Sequence, residues 1–168
     1  MLNRLLRDHA LLRARGETLL GLLDLPEPPD PAVLADARWQ LTSQIMQHLS
    51  LEDRHLFGKL LADPREEVRA LGNRFQAELA DLFTHHAEHA RTWTPERIAA
   101  DWQTFRSASR HRVLEMFARL DREEEELYPL AREAKIDVDS YGPHSFNWTR
   151  DAFAIKDSIT LGAVQGGD

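Results

Sequence analysis

The chain has 168 residues, 42% of them hydrophobic, no cysteine and a formal charge of -7. Its length and apolar content suffice for one sizeable core, and the missing thiols exclude disulfides, thiolate metal sites and a cysteine nucleophile. The acidic balance argues against nucleic acid or an anionic membrane as partner, and any metal must be held by nitrogen and oxygen, which suits a borderline or harder ion, iron among them.

The first residues carry charges too early for a secretory signal, and no run approaches transmembrane length. A soluble, cytoplasmic protein is therefore expected. Leu2, Leu5, Leu6, His9, Leu12, Leu19, Leu20 and Leu23 fall near helical spacing and predict a first helix with His9 on its apolar stripe. A proline-dense connector comes next. Asp30-Pro31, a capping side chain before a proline, opens a second helix reaching about Ala62. Asp63-Pro64 opens a third, to about Ala90, and Thr94-Pro95 a fourth, which spans Ile98 to Ala134 with a weak point at Ser107 to Ser109.

Four long helical segments on short connectors predict an all-α, antiparallel up-down four-helix bundle over residues 1–134. From 135 to 168, Asp, Gly and Pro break any period, and an irregular tail is expected. Its aromatics Tyr141, Phe146, Trp148 and Phe153 are too apolar for a linker and should lie across the bundle or meet a protein partner.

His48 and Glu52 stand four apart within the apolar rhythm of the second helix, so both fall on or beside its inward face. A buried carboxylate there needs a cation or strong donors. Counting from the connectors puts His9 level with His48, and Glu52 level with Phe75 and Gln76. Glu123 continues an inward row with Met116 and Leu127, while Glu124 to Glu126 read as a solvated acidic face.

Asp8-His9, His48-x-x-x-Glu52-Asp-x-x-Leu-Phe57 and Glu123-Glu-x-x-Leu-Tyr-Pro129 together resemble the hemerythrin-like, or HHE cation-binding, family over residues 1–134. The resemblance implies a bundle holding non-heme iron through histidines and bridging carboxylates. It assigns His9 and His48 to one iron and Glu52 and Glu123 to the bridging positions. At the position four before Glu123, where the family's motif has histidine, this chain has Arg119, and Gln76 is the candidate for a ligand position in the third helix. The ligands of one ion are thus present and those of a second largely replaced. A guanidinium at Arg119 can reach Glu123, four residues on, and supply the missing positive charge. Among the other histidines, His55 reads as peripheral and His111 as a surface partner of Glu115. His85, His86 and His89 read as a solvated helix-end cluster, with an alternative metal site as the second reading.

Three functions are compatible with this pattern. First comes a non-enzymatic protein with one iron that binds or senses dioxygen or nitric oxide, or reports redox or iron state. The second is a metal-free regulatory or interaction protein in which Arg119 replaces the lost metal charge. Oxygen-activating enzyme chemistry ranks third, since the chain shows no substrate-binding motif.

Overall fold

The computed structural model describes residues 1–140 and 149–160, with the backbone alone for 149–153, and all regular structure among them is helical. Helix α1 spans Asn3–Leu23 and α2 Pro31–Glu52. A π-helical turn, Asp53–Phe57, then leads into the short α3, Gly58–Leu61. Next come α4, Glu66–Thr92, and a one-and-a-half-turn α5, Pro95–Ala100. Helix α6, Trp102–Arg122, continues through a second π-helical turn, Glu123–Leu127, into α7, Tyr128–Glu133. No helix among the described residues is long and apolar enough to cross a membrane.

Two of the three proline-led starts have side-chain caps, at Asp30 and Thr94; after Asp63-Pro64 the helix opens only at Glu66, and Asp63 instead accepts from the Arg65 amide in the preceding turn. Asp30 Oδ1 accepts from the amides of Ala32, at 2.8 Å, and Val33, at 3.4 Å, satisfying donors that an isolated helix start leaves unpaired. Asp30→Ala is expected to lower the unfolding free energy by about 1 kcal/mol, read from the midpoint of a urea titration. The break in the fourth segment falls at Asp101, whose carboxylate accepts from Thr104 N, and not at Ser107 to Ser109. There the helix is continuous because the Ser109 side chain is buried and paired with His89.

Helices α1 and α2 lie side by side with opposed chain directions: Arg15 reaches the Gln40 carbonyl while Asp8 meets Gln44. The same opposition relates α1 to α6, through Arg110 with Asp24 at one end and Arg13 with Asp121 towards the other. It relates α4 to α6 as well, through His89 with Ser109 and Arg122 with Glu78. Between these helices Leu5, Leu12, Leu56, Phe57, Phe75, Phe105 and Leu127 are almost wholly excluded from solvent. Helix α1 approaches α6 closely at Gly16, where a Cβ would lie 2.6 Å from the Phe117 ring; only glycine leaves room for that contact.

The irregular tail expected from residue 135 is corrected in two places. Lys135 adopts φ 55° and turns the chain after α7, and Ile136 and Val138 are buried in the core cluster. Further on, Thr149–Thr160 form helix α8. Ile155 and Ile159, four apart, are buried against Ala35, Met46, Ala87 and Ala90 of α2 and α4, and Lys156 lies over the Trp39 ring, so the helix is held by packing on its neighbours. Tyr141, Phe146 and Trp148 lie outside the described residues, as does the Phe153 side chain.

Candidate metal centre

His9 enters the interior from α1, His48 and Glu52 from the last turn of α2, and Glu123 from the start of the second π turn. Their side chains are at most 2% exposed, and one ligand atom from each lies within 4.8 Å of the others. His9 Nε2 is 3.3 Å from His48 Nε2 and 3.1 Å from Glu123 Oε2. His48 Nε2 stands 3.6 Å from both Glu52 Oε1 and Glu123 Oε2, distances of ion pairs rather than hydrogen bonds.

Both buried carboxylates lie beside a π turn: Glu52 ends α2 immediately before one, and Glu123 opens the other. A π turn closes over five residues and re-aims the side chains beyond it. Tyr128, five after Glu123, consequently returns to the same interior point, where its hydroxyl lies 2.8 Å from His9 Nε2 and donates to Glu52 Oε1 at 3.2 Å. α-Helical periodicity does not predict that contact, and no role was expected for Tyr128.

The residues present suit a cation. Glu52 Oε2, Glu123 Oε2 and His48 Nδ1 are buried without a hydrogen bond of acceptable direction, which in an uncharged interior costs about 1–3 kcal/mol per group or more. Two imidazole nitrogens and two carboxylates form a nitrogen and oxygen donor set for a borderline or hard divalent ion. The imidazoles are also oriented as ligands. His9 Nδ1 lies 2.7 Å from Glu124 Oε1, which Arg13 holds from the other side at 2.8 Å. With its proton given to that carboxylate, the ring presents the Nε2 lone pair inward. Asp8, fixed by Gln44, stands 3.9 Å from His48 Nδ1 in the corresponding position. Glu124 is therefore not part of a solvated acidic face: it shares the outward side of His9 with Arg13, a role concealed by its place in a run of four glutamates.

Arg119 lies beside Glu123 and donates to Glu123 Oε1, to the Phe75 carbonyl at 3.1 Å and to Glu78 at 3.4 Å. Gln76 does not join the cluster. It is half-buried and its amide donates to Asp53 at 3.4 Å, while the inward place belongs to Phe75, fully buried beneath the Arg119 and Arg122 guanidinium groups. One residue is 100° of helix, so of the two neighbours expected level with Glu52 it is Phe75, and not the candidate Gln76, that faces inward.

Charges inside the cluster oppose one another. Burial, then the neighbouring Glu123, raises Glu52. Burial also pushes Glu123 upward, but the imidazoles of His48 and His9 and the charge of Arg119 outweigh it and hold this carboxyl below the ordinary range. For His48, burial works against protonation, yet Glu52, Asp8 and Glu123 together lift it to about 10. A proton on His48 thus does part of a cation's work, and a bound ion would displace it.

His86 and His89 are not solvated as expected. Both face inward, paired with Thr42 at 2.9 Å and Ser109 at 3.0 Å, while His85 is exposed. Neither belongs to a set of three or more ligand groups; among the described residues only His9, His48, Glu52 and Glu123 form one. His55 is half-buried at the first π turn, and His111 forms an exposed pair with Glu115 at 3.2 Å. Comparison of the chain with protein-family models, curated proteins and solved structures finds no match.

Proposed function

We propose that this chain is a hemerythrin-like, cytoplasmic metal-binding protein. In this reading it is an antiparallel up-down four-helix bundle that holds one non-heme iron through His9, His48, Glu52 and Glu123. It binds or senses dioxygen or nitric oxide, or reports redox or iron state. The observation that carries the proposal is the convergence of four buried ligand atoms within 4.8 Å, and the opposed directions of the neighbouring helices support the bundle. When bound, the ion supplies an open coordination position and a reversible one-electron couple. The protein's own groups prepare the site: Glu124 orients His9, Asp8 places a negative charge 3.9 Å from His48 Nδ1, Tyr128 offers a hydroxyl proton, and Arg119 fixes a positive charge beside Glu123.

After anaerobic reconstitution with ferrous iron, elemental analysis is expected to find about one ion per chain, the single set of four ligands setting the count. Glu52→Ala should lose it, with an affinity loss exceeding the roughly 10–100-fold typical of removing an outer partner. Two ions per chain would overturn the single-ion reading.

The Arg119–Glu123 pair favours a second reading. With His48 protonated, these groups balance the cluster without an ion, and the protein is then a metal-free regulatory or interaction module whose surface or tail meets a protein partner. A folded protein that takes up no metal would select it.

A further inference from the structure

Under helix α8, away from the His9 cluster, lies a cavity of about 60 Å³. By the measure in which one water needs roughly 10–15 Å³, it has room for about four to six non-hydrogen atoms. Arg38 lines it. Arg38 is 6% exposed, its guanidinium sits 5.3 Å over the Phe105 ring, and no carboxylate or carbonyl among the described residues accepts from it. Arg112, on the same wall, is already paired with Glu115. A guanidinium so little exposed and without a protein acceptor has only the Phe105 ring and a narrow access to solvent, an arrangement that an anion would improve, and its planar fork matches two oxygens of one group.

The other polar groups of the cavity can serve the same anion. Thr42 and Ser109 are each paired with an imidazole, His86 and His89 respectively. Each pairing can run in either direction: when the imidazole nitrogen carries the proton, the hydroxyl accepts it and turns its own hydrogen towards the cavity. The remaining wall is aliphatic, with Leu41, Val113 and Met116. An inorganic oxyanion has no use for that side, and the volume excludes a long acyl chain.

We propose that this cavity binds a short-chain monocarboxylate, its carboxylate on the Arg38 guanidinium and the Thr42 and Ser109 hydroxyls, its alkyl end among Leu41, Val113 and Met116. Burial pulls Arg38 down only to about 10, so the group is charged at neutral pH. The site is independent of the proposed metal.

The test is NMR titration of the metal-free full chain with propionate at constant ionic strength, alongside acetate, nitrate and hexanoate. Propionate is expected to produce saturable shifts at Arg38 Nε and at the His86 and His89 ring nitrogens, and none at His9 or His48. Nitrate and hexanoate should bind more weakly. Arg38→Met should weaken propionate by at least about tenfold, the effect of losing a charged hydrogen-bond partner. Arg38→Lys keeps a cation in the fold and should also lose affinity, because the planar fork is gone. No saturable shift in the wild type would overturn the proposal, as would undiminished propionate binding by folded Arg38→Lys or Arg38→Met. Nitrate binding as well as propionate would overturn the assignment of the alkyl end.

Discussion

Arg119→Met, measured by urea unfolding in the presence of a chelator, is expected to lower the unfolding free energy by about 3–5 kcal/mol, the usual effect of removing one partner of a buried ion pair. Arg119 is 5% exposed and Glu123 1%, so the carboxylate left behind has no water to turn to. The Phe75 carbonyl loses a donor in the same step. Glu78 does not share the loss, because Arg122 also holds it. The imidazoles of His9 and His48 remain near Glu123, yet their two nitrogens must also serve Glu52 and Tyr128, and one added proton cannot satisfy them all.

A metal would change this outcome in a recognisable way. A divalent ion at the four ligands restores a cation beside Glu123, and an ion at 100 times its dissociation constant adds about 2.7 kcal/mol to the folded state. Arg119→Met with ferrous iron or zinc should therefore recover most of the loss, whereas Glu52→Ala/Arg119→Met should recover little. A loss below about 1 kcal/mol in the chelated protein would mean that Glu123 is neutralised by a proton, and that Arg119 is not its principal partner.

The parts of this arrangement that were legible in the sequence are those that depend on α-helical spacing and on caps. His48 and Glu52 share a face because they are four apart. His9 meets His48 because both lie about the same distance from the turn that ends in the Asp30-Pro31 cap. Tyr128 was not legible, since its contact with His9 depends on a π turn, and five residues of α-helix would have pointed it elsewhere. Gln76 and Phe75 both fall level with Glu52 in the sequence, and one residue of register, which connector counting does not resolve, decides which of them faces inward. Glu124 was hidden by composition: a run of glutamates looks solvated until one of them is found against a buried imidazole. Helix α8 was missed because two isoleucines are too few to register as periodicity, and become decisive only when Ala35, Ala87 and Ala90 leave them a groove.

The chelated protein is expected to lose stability steeply as pH falls through 6.5 towards 4, with His86 and His89 responsible. Burial, and then the nearby charge of Arg38, lowers His86 to about 4 and His89 to about 3; Arg112 adds to both, and His86 to His89. In the unfolded chain each titrates near 6.5. Between those limits the unfolded state binds two protons that the folded state refuses, so stability rises with pH and falls with acid, by about 2.7 kcal/mol per pH unit while both differ. His48 works in the other direction and in another window: lifted to about 10, its contribution is complete below 6.5 and is lost only as pH rises towards 10. Glu123, held low, adds its own acid loss only below about 4.5, the ordinary range of a glutamate. Raised Glu52 opposes part of the slope, because its folded form keeps a proton that the unfolded form has released. Urea unfolding at pH 6.5, 5.5 and 4.5, without carboxylate buffers, should therefore show a slope that shrinks by about half in His86→Gln and again in His86→Gln/His89→Gln, since glutamine can bond Thr42 or Ser109 but cannot take the proton. An unchanged slope in the double variant would assign the acid sensitivity to another imidazole, His55, which burial and then the charges of Arg54, Lys59 and Arg4 also lower. Propionate supplies a second check on the same groups. A carboxylate beside Arg38 makes a proton on either imidazole less unfavourable, so its presence should flatten the slope in the wild type and leave it unaltered in Arg38→Met.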